Sequence, residues 1–328
     1  MNTKNIFRPG VPLLGIDWGS SNRRAYLFDA AGALLRRHDD TCGMLAANNR
    51  FPQALQELLD VLGLEQANVL MSGMVGSRSG WQQVPYVDCT VPLAQLSQQL
   101  QVVQFAHPGV RCVIVPGYRY VDASGAPDVM RGEEMQLLGA RVLGACDGWF
   151  VLPGTHSKWV RIAHGMVAEI ITFMTGELFS LMTQHGTLAA ALPPEPRPWH
   201  QEAFVAGLEA AQQGGFTHNA FVCRARVVTD VMPAAHATAY LSGLLIGAEF
   251  QHLGARLTEG CTASGATNGA TNGAAVQLIG APDLTANYVT ALAWRGASSL
   301  VWQADQVYQE AVRSLALPLT AMQLQGTA

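Results

Sequence analysis

Lysine is almost missing from this chain: Lys4 and Lys158 are the only two in 328 residues. Charged residues make up 13% and the net charge is −4. That balance offers none of the basic surface on which nucleic-acid binding depends. The six cysteines, Cys42, Cys89, Cys112, Cys146, Cys223 and Cys261, form no C-x-x-C pair and keep no metal-like spacing with His. Reduced structural thiols and a cytoplasmic setting are therefore expected. No apolar run approaches the ~20 residues of a membrane helix, and residues 1–12 lack the apolar core of a signal peptide. Disorder is excluded too, because 49% of the residues are apolar. The length allows two domains, each with its own core.

What the chain does have is a turn that occurs twice. Gly19-Ser20-Ser21-Asn22 follows the strand-like Leu13 to Asp17, and Gly154-Thr155-His156-Ser157 follows Trp149 to Leu152. Each joins a glycine, which lets backbone approach a ligand closely, to small hydroxyl side chains and amides that can face phosphate oxygens. The flanking residues correspond as well. The turns are offset by 135 residues, and the next matching glycines, Gly32 and Gly165, by 133.

Each turn lies after the first of three short strands that form a meander: Leu13–Ile16, Arg24–Phe28 and Ala33–His38 in the first half, Trp149–Leu152, Trp159–Ala163 and Val167–Phe173 in the second. Helical spacing then predicts Phe51–Leu62, a helix around Leu93–Gln101 and one over Val129–Leu143, with buried strands at Val69–Met71 and Cys112–Val115. The second half predicts helices at Glu177–Leu192 and Leu284–Trp294, strands at Val276–Ile279 and Ser299–Trp302, and a final helix at Asp305–Ala316. Between them comes an insertion over 193–237, with a proline cluster at Pro193–Pro198 and helices near Gln201–Gln213 and Ala220–Val231. A long apolar helix over Thr238–Leu257 and a polar connector over Thr262–Ala275 follow. The boundary is expected near residue 147, giving domains 1–147 and 148–328.

This duplicated meander, with Asp17-x-Gly19-Ser20-Ser21-Asn22 in its first turn, resembles the actin, sugar-kinase and Hsp70-type ATPase superfamily. The resemblance implies two ribonuclease-H-like α/β domains, each a mixed five-stranded sheet with flanking helices, and a cleft between them. Within that superfamily, the strings Leu14-Gly-Ile-Asp-Trp-Gly-Ser-Ser-Asn22, Asp128-Val-Met-Arg-Gly-Glu-Glu134, Leu152-Pro-Gly-Thr-His-Ser-Lys-Trp159 and Phe173-Met-Thr-Gly-Glu-Leu-Phe179 are similar to the 2-dehydro-3-deoxygalactonokinase family. The family implies ATP and Mg²⁺ as cofactors and a small sugar acid as substrate.

At a strand end, Asp17 can hold a hydrated Mg²⁺, which needs only one or two protein carboxylates; it can equally cap its own turn. Gly19, Ser20, Ser21 and Asn22 would line the phosphates from one side, and Gly154, Thr155, His156, Ser157 and Lys158 from the other. Arg23 and Arg24 alternate faces, so at most one can turn toward the site. Asp128 is expected at the start of the last helix of the first half, as catalytic base or as plain helix N-cap. Arg131 would orient it or meet the phosphates. Glu133 and Glu134 are helix-dipole or Mg²⁺ partners. The loop after Val69–Met71 offers Ser72, Ser77 and Arg78 to an anionic sugar acid, Arg78 gripping its carboxylate in a bidentate way, while Trp81 would stack on the carbon skeleton or fill a core. Thr175 and Glu177 would reach the substrate's hydroxyls, or cap the helix they begin. Gly280, before a helix carrying Leu284 and Tyr288, permits close approach of the adenine.

The expectation is thus ATP-dependent phosphorylation of 2-dehydro-3-deoxy-D-galactonate at its C6 hydroxyl, in galactonate catabolism. Another carbohydrate kinase of the same superfamily, such as a glucokinase or pentulose kinase, and an actin- or Hsp70-type ATPase are the alternatives. Galactonate-derived and gluconate-derived 2-keto-3-deoxy acids differ at one hydroxyl, which these motifs do not distinguish, and a homodimer is left open.

Overall fold

The computed structural model describes residues 6–194, 199–259 and 275–321. Residues 195–198 of the expected proline cluster and 262–274 of the expected connector lie outside them. The chain divides into two compact units, one of Met1–Asp147, Ile162–Ile170 and Gln303–Ala328, the other of Gly148–Arg161 and Ile171–Trp302.

The first unit begins with β1 (Leu13–Trp18), β2 (Arg23–Phe28) and β3 (Leu34–Asp40), a meander in which β2 pairs antiparallel with both neighbours. The short helix α1 (Met44–Ala47) and then α2 (Phe51–Leu62) follow. Helix α2 forms where the pattern placed it because Phe51, Ala54, Leu55, Leu58 and Leu59 fall on one stripe and are buried. Pro52 in its first turn and a left-handed Gly63 after its last mark its ends. Next come β4 (Ala67–Gly73), β5 (Val87–Asp88), β6 (Gln101–Val103), β7 (Val110–Ile114), β8 (Tyr118–Val121), β9 (Pro127–Met130) and α3 (Glu133–Val142). β4 is buried at every position, as a central strand with parallel neighbours β1 and β7 must be.

The sheet order β3-β2-β1-β4-β7-β6 has six strands, one more than expected, and β5-β8-β9 form a separate three-stranded sheet. Residues 93–98 make a 3-10 helix instead of an α-helix.

The second meander is β10 (Gly148–Leu152), β11 (Ser157–Ala163) and β12 (Met166–Phe173), of which Ile162–Ile170 belong to the first unit and the rest to the second; α4 (Thr175–Gln184) and α5 (Gly186–Ala189) follow in the second unit where one helix was expected. The inserted helices α6 (Gln201–Ala211) and α7 (Phe216–Val228) lead to α8 (Ala237–Leu253), α9 (Arg256–Glu259), β13 (Val276–Ile279), α10 (Pro282–Trp294) and β14 (Ser299–Trp302). The five strands lie in the order β12-β11-β10-β13-β14, which repeats the β3-β2-β1-β4-β7 order of the first sheet. Helix α8 is apolar on nearly every face and is accordingly buried. Its backbone touches that of α6: a Cβ at Gly243 would lie 1.9 Å from the Phe204 carbonyl oxygen.

The last helix, α11 (Ala304–Ala321), packs on α3 and β1 in the first unit, although it follows the second in sequence. Tyr308 of α11 places its Oη 2.8 Å from Ser72 Oγ on β4.

Candidate functional site

In the first unit, Asp17 stands one residue from the end of β1, in register with Arg24 on β2 and Ser72 on β4. The alternation of β2 decides the two arginines. Arg23 is buried, pairs with Asp40 at 2.6 Å and donates to the Ala54 carbonyl, while Arg24 brings Nη1 to 3.3 Å from Asp17 Oδ2. The following turn closes through Gly19 N–H to the Asn22 carbonyl, at 2.9 Å. The carbonyls of Gly19 and Ser20 accept from Met44 and Leu45, which fixes the turn to α1 and leaves Ser20, Ser21 and Asn22 exposed.

Gly73, at the end of β4, has φ +84°, and a Cβ there would lie 2.7 Å from the Trp18 carbonyl oxygen and 3.4 Å from Asp17 Oδ1. Only glycine suits both its backbone and its neighbours. A Cβ at Gly132 would in turn lie 3.4 Å from the Gly73 Cα, so the start of α3 is brought to the end of β4. Glu133 Oε2 accepts from the Arg131 amide at 2.9 Å, and Glu134 Oε2 from the Gly132 amide at 2.7 Å. Burial raises the ionisation of Asp17 above the usual carboxylate range, Arg24 opposes this, and the Glu133 charge adds to it. Glu134 is fully buried, its Oε1 finds no partner among the described residues, and burial pushes its carboxyl up to about 8.

Two carboxylates whose charges oppose each other, with one exposed arginine beside them, fit a hydrated divalent cation, which accepts one or two protein carboxylates and keeps waters. Glu133, not Glu134, is the glutamate whose charge Asp17 feels. Among the described residues no group of three or more His, Cys, Asp or Glu side chains could enclose a metal.

The remaining candidates of this unit are placed differently. Asp128 lies on β9, paired in register with Tyr120, and its Oδ1 accepts from the Val129 amide at 2.7 Å. It does not start a helix, because ladder pairing carries the chain through Met130 and α3 begins only at Glu133 after the left-handed Gly132. Arg131 sets its guanidinium 4.3 Å from the Tyr86 ring centroid and donates Nη2 to the Val84 carbonyl, leaving Nε and Nη1 buried without a partner among the described residues. Ser72, expected to face a sugar acid, is fully buried against Tyr308. Ser77 contacts Met44 Sδ at 3.4 Å, and Trp81 packs edge-on to Phe105, with ring centroids 5.8 Å apart, against the first core. Arg78 is exposed.

In the second unit, a cavity of about 410 Å³ lies beside the second glycine turn. Its wall is mainly apolar, with Phe179, Leu245, Ile246 and Leu284, while Thr175, Thr238, Ser242 and Asn287 supply polar atoms. Small-molecule sites have this composition and size. Gly154 and Tyr288 also line it. Gly280 packs on Pro153, where a Cβ would lie 3.2 Å from the ring. Thr155 and His156 are exposed, and His156 Nε2 lies 2.7 Å from Glu177 Oε2, whose own amide donates to the Thr155 carbonyl. Lys158 is turned away from the turn: it is buried and donates Nζ to Thr172 Oγ1 at 2.9 Å.

Behind the cavity wall lies a residue that motif reading missed. Glu249 of α8 is buried and receives Trp159 Nε1 at 2.6 Å, Ser157 Oγ at 3.3 Å, Tyr288 Oη at 2.7 Å and the Thr175 hydroxyl. Burial pushes its carboxyl up to about 7 against those bonds. The signal available was one carboxylate in a long apolar helix, which has to be satisfied internally.

The family model for 2-keto-3-deoxy-galactonokinase matches residues 17–315. A 2-dehydro-3-deoxygalactonokinase of Escherichia coli (strain K12) is 34% identical over 305 residues, covering 92% of this chain and 97% of that protein. A Rhizobium meliloti (strain 1021) protein named a probable 2-dehydro-3-deoxygalactonokinase is 33% identical over 311 residues, with 91% and 93% covered. The crystal structure of a Sinorhizobium meliloti protein provisionally named a 2-dehydro-3-deoxygalactonokinase aligns with a TM-score of 0.81 at 31% identity, over 93% of this chain and 95% of that one.

Proposed function

The chain belongs to the 2-keto-3-deoxy-galactonokinase family, and from that premise we propose that it transfers the γ-phosphoryl group of ATP to the C6 hydroxyl of 2-dehydro-3-deoxy-D-galactonate, releasing ADP and the 6-phosphate. The observation that carries the nucleotide half of this reading is the apolar cavity walled by Gly154, Thr175, Gly176, Leu284 and Tyr288. A flat base needs such a wall, with a few polar atoms to orient it, and the adjoining turn offers exposed donors to phosphate.

Phosphoryl transfer asks the protein mainly for positioning and charge neutralisation. In the first unit Ser20, Ser21 and Asn22 donate to phosphate oxygens from a turn whose carbonyls are already held by α1. Asp17, with Glu133, holds the magnesium ion, which when bound supplies positive charge to the phosphates. Arg24, paired with Asp17, is the exposed cation nearest that carboxylate. Asp128 accepts the proton of the acceptor hydroxyl. Arg131, held by Val84 and Tyr86, fixes the segment that joins Asp128 to α3. Arg78, exposed after β4, takes the sugar acid's carboxylate. In the second unit Gly154 and Thr155 serve the phosphates and the His156–Glu177 pair faces the hydroxyls, while Ser157, expected at the phosphates, is buried with its hydroxyl on Glu249 and braces the turn instead. We place the enzyme in the cytoplasm; among the described residues no helix is long and apolar enough to cross a membrane.

The test is ADP release measured against a panel of 2-keto-3-deoxy sugar acids and neutral sugars, with phosphorus NMR of the product. The expected result is turnover with the galactonate-derived acid and phosphate on C6. Faster turnover of a neutral hexose or pentulose, or ADP release that needs no acceptor, would overturn the assignment.

A further inference from the structure

Glu249 touches nothing that reacts, yet four elements depend on it. Its carboxylate holds Ser157 and Trp159 on β11, Thr175 at the start of α4 and Tyr288 on α10, from its own place on α8. Thr175 and Tyr288 belong to the cavity wall, and Ser157 is the last residue of the second glycine turn. Tyr288 Oη also lies 2.9 Å from Ser157 Oγ, so the turn and the wall are joined directly as well as through the carboxylate. A buried carboxyl with this set of donors is satisfied only while all four elements keep their places.

We propose that Glu249 is the positioning residue of the nucleotide site, locking the second glycine turn to the cavity wall that receives the base. The inference rests on the reading of that cavity as a nucleotide site. Its ionisation follows from the same geometry. Of the ionisable groups on the elements packed around it, only Tyr288 bonds the carboxylate; His156 is engaged with Glu177 and Lys158 with Thr172, while Asp283 on α10 and His252 on α8 are not among its partners. Near pH 7 the carboxyl is therefore poised between its two forms. A polyphosphate arriving in front of the turn favours the neutral form, so nucleotide binding takes up a proton.

The experiment is calorimetric titration of the full chain with ADP and Mg²⁺ at pH 7, in buffers of different ionisation enthalpy, for the unaltered protein, Glu249→Gln and Glu249→Ala. Steady-state constants for ATP and sugar acid are measured alongside. Expected is a greater proton uptake by the unaltered protein than by Glu249→Gln, the difference reporting on the carboxyl because the terminal phosphate of ADP titrates in both. Glu249→Ala should weaken nucleotide binding by roughly tenfold or more, since it strands buried donors. The KM for sugar acid should stay unchanged, and Glu249→Gln should restore most of the affinity. Thr175→Val, which removes one ligand hydroxyl and keeps the carboxylate, serves if Glu249→Ala does not fold, and should weaken ADP binding in the same selective way. Variants that bind ADP as the unaltered protein does, or that lose both substrates equally, would overturn the proposal. An unaltered protein that binds no ADP would sink the functional reading together with it.

Discussion

Replacing Glu134 by Gln should stabilise this protein in alkali, although it removes an acid from the mouth of a helix. Glu134 is fully buried, its Oε2 takes the Gly132 amide at 2.7 Å, and its Oε1 has no partner among the described residues. Arg131 lies near enough to oppose the effect of burial, yet two of its guanidinium nitrogens are themselves unsatisfied, so the pair is not closed by a salt bridge. A carboxyl that ionises near 4.5 when unfolded and at about 8 when folded keeps its proton in the native state while the unfolded chain releases it. Stability therefore falls as pH rises through that window, by about 1.4 kcal/mol per pH unit, and the full loss is about 5 kcal/mol. Below pH 4.5 both states are protonated and the effect vanishes. Gln keeps the acceptor for Gly132 and cannot ionise, so it carries none of this penalty. Urea denaturation at pH 5, 7 and 9, followed by tryptophan fluorescence, reads the difference. The variant should match the unaltered protein within about 1 kcal/mol at pH 5 and exceed it by about 5 kcal/mol at pH 9. A variant less stable at pH 9 would refute the reasoning, because it would mean that Glu134 is charged and paired with Arg131.

Asp128→Asn should lower turnover by roughly 10²–10⁴ while leaving the KM for ATP nearly unchanged, the behaviour of a lost general base; near-normal turnover removes Asp128 from the mechanism and passes the role to Glu133, whose Gln variant is the companion measurement. Gly73→Ala should cost about 2–4 kcal/mol, from a left-handed backbone and a Cβ 2.7 Å from the Trp18 carbonyl. A melting temperature lowered by on the order of 5–15 °C would register it, and an unchanged one would mean that β1 and β4 can separate there.

Much of the fold was legible because local and long-range preferences agreed. The two meanders have strands of the right period, Gly63 and Pro52 bound α2, and Val276–Ile279 and Ser299–Trp302 are short apolar runs between turn signals. The strands β5, β6, β8 and β9 were not legible, since two to four residues carry no period and form strands only through partners elsewhere in the chain. The same cause moved Asp128. The spacing of Val129, Met130, Leu137 and Leu138 suits a helix, but Met130 pairs with Tyr118 and Gly132 turns the backbone before the helix can start.

By itself the sequence determined the duplicated glycine turns, the strand that presents Asp17, the alternation that separates Arg23 from Arg24, and the family. These rest on neighbours a few residues apart, and backbone sterics and side-chain period act at that range. Only the tertiary structure decided that Ser72 and Trp81 belong to the packing, that Lys158 serves β12, that α11 closes the first unit, and that Glu134 and Glu249 are buried acids at the two sites. A strand buried on both faces gives no sign in its sequence of which face meets a ligand. The ionisation of a carboxyl is likewise set by how much water and which donors the rest of the fold leaves around it.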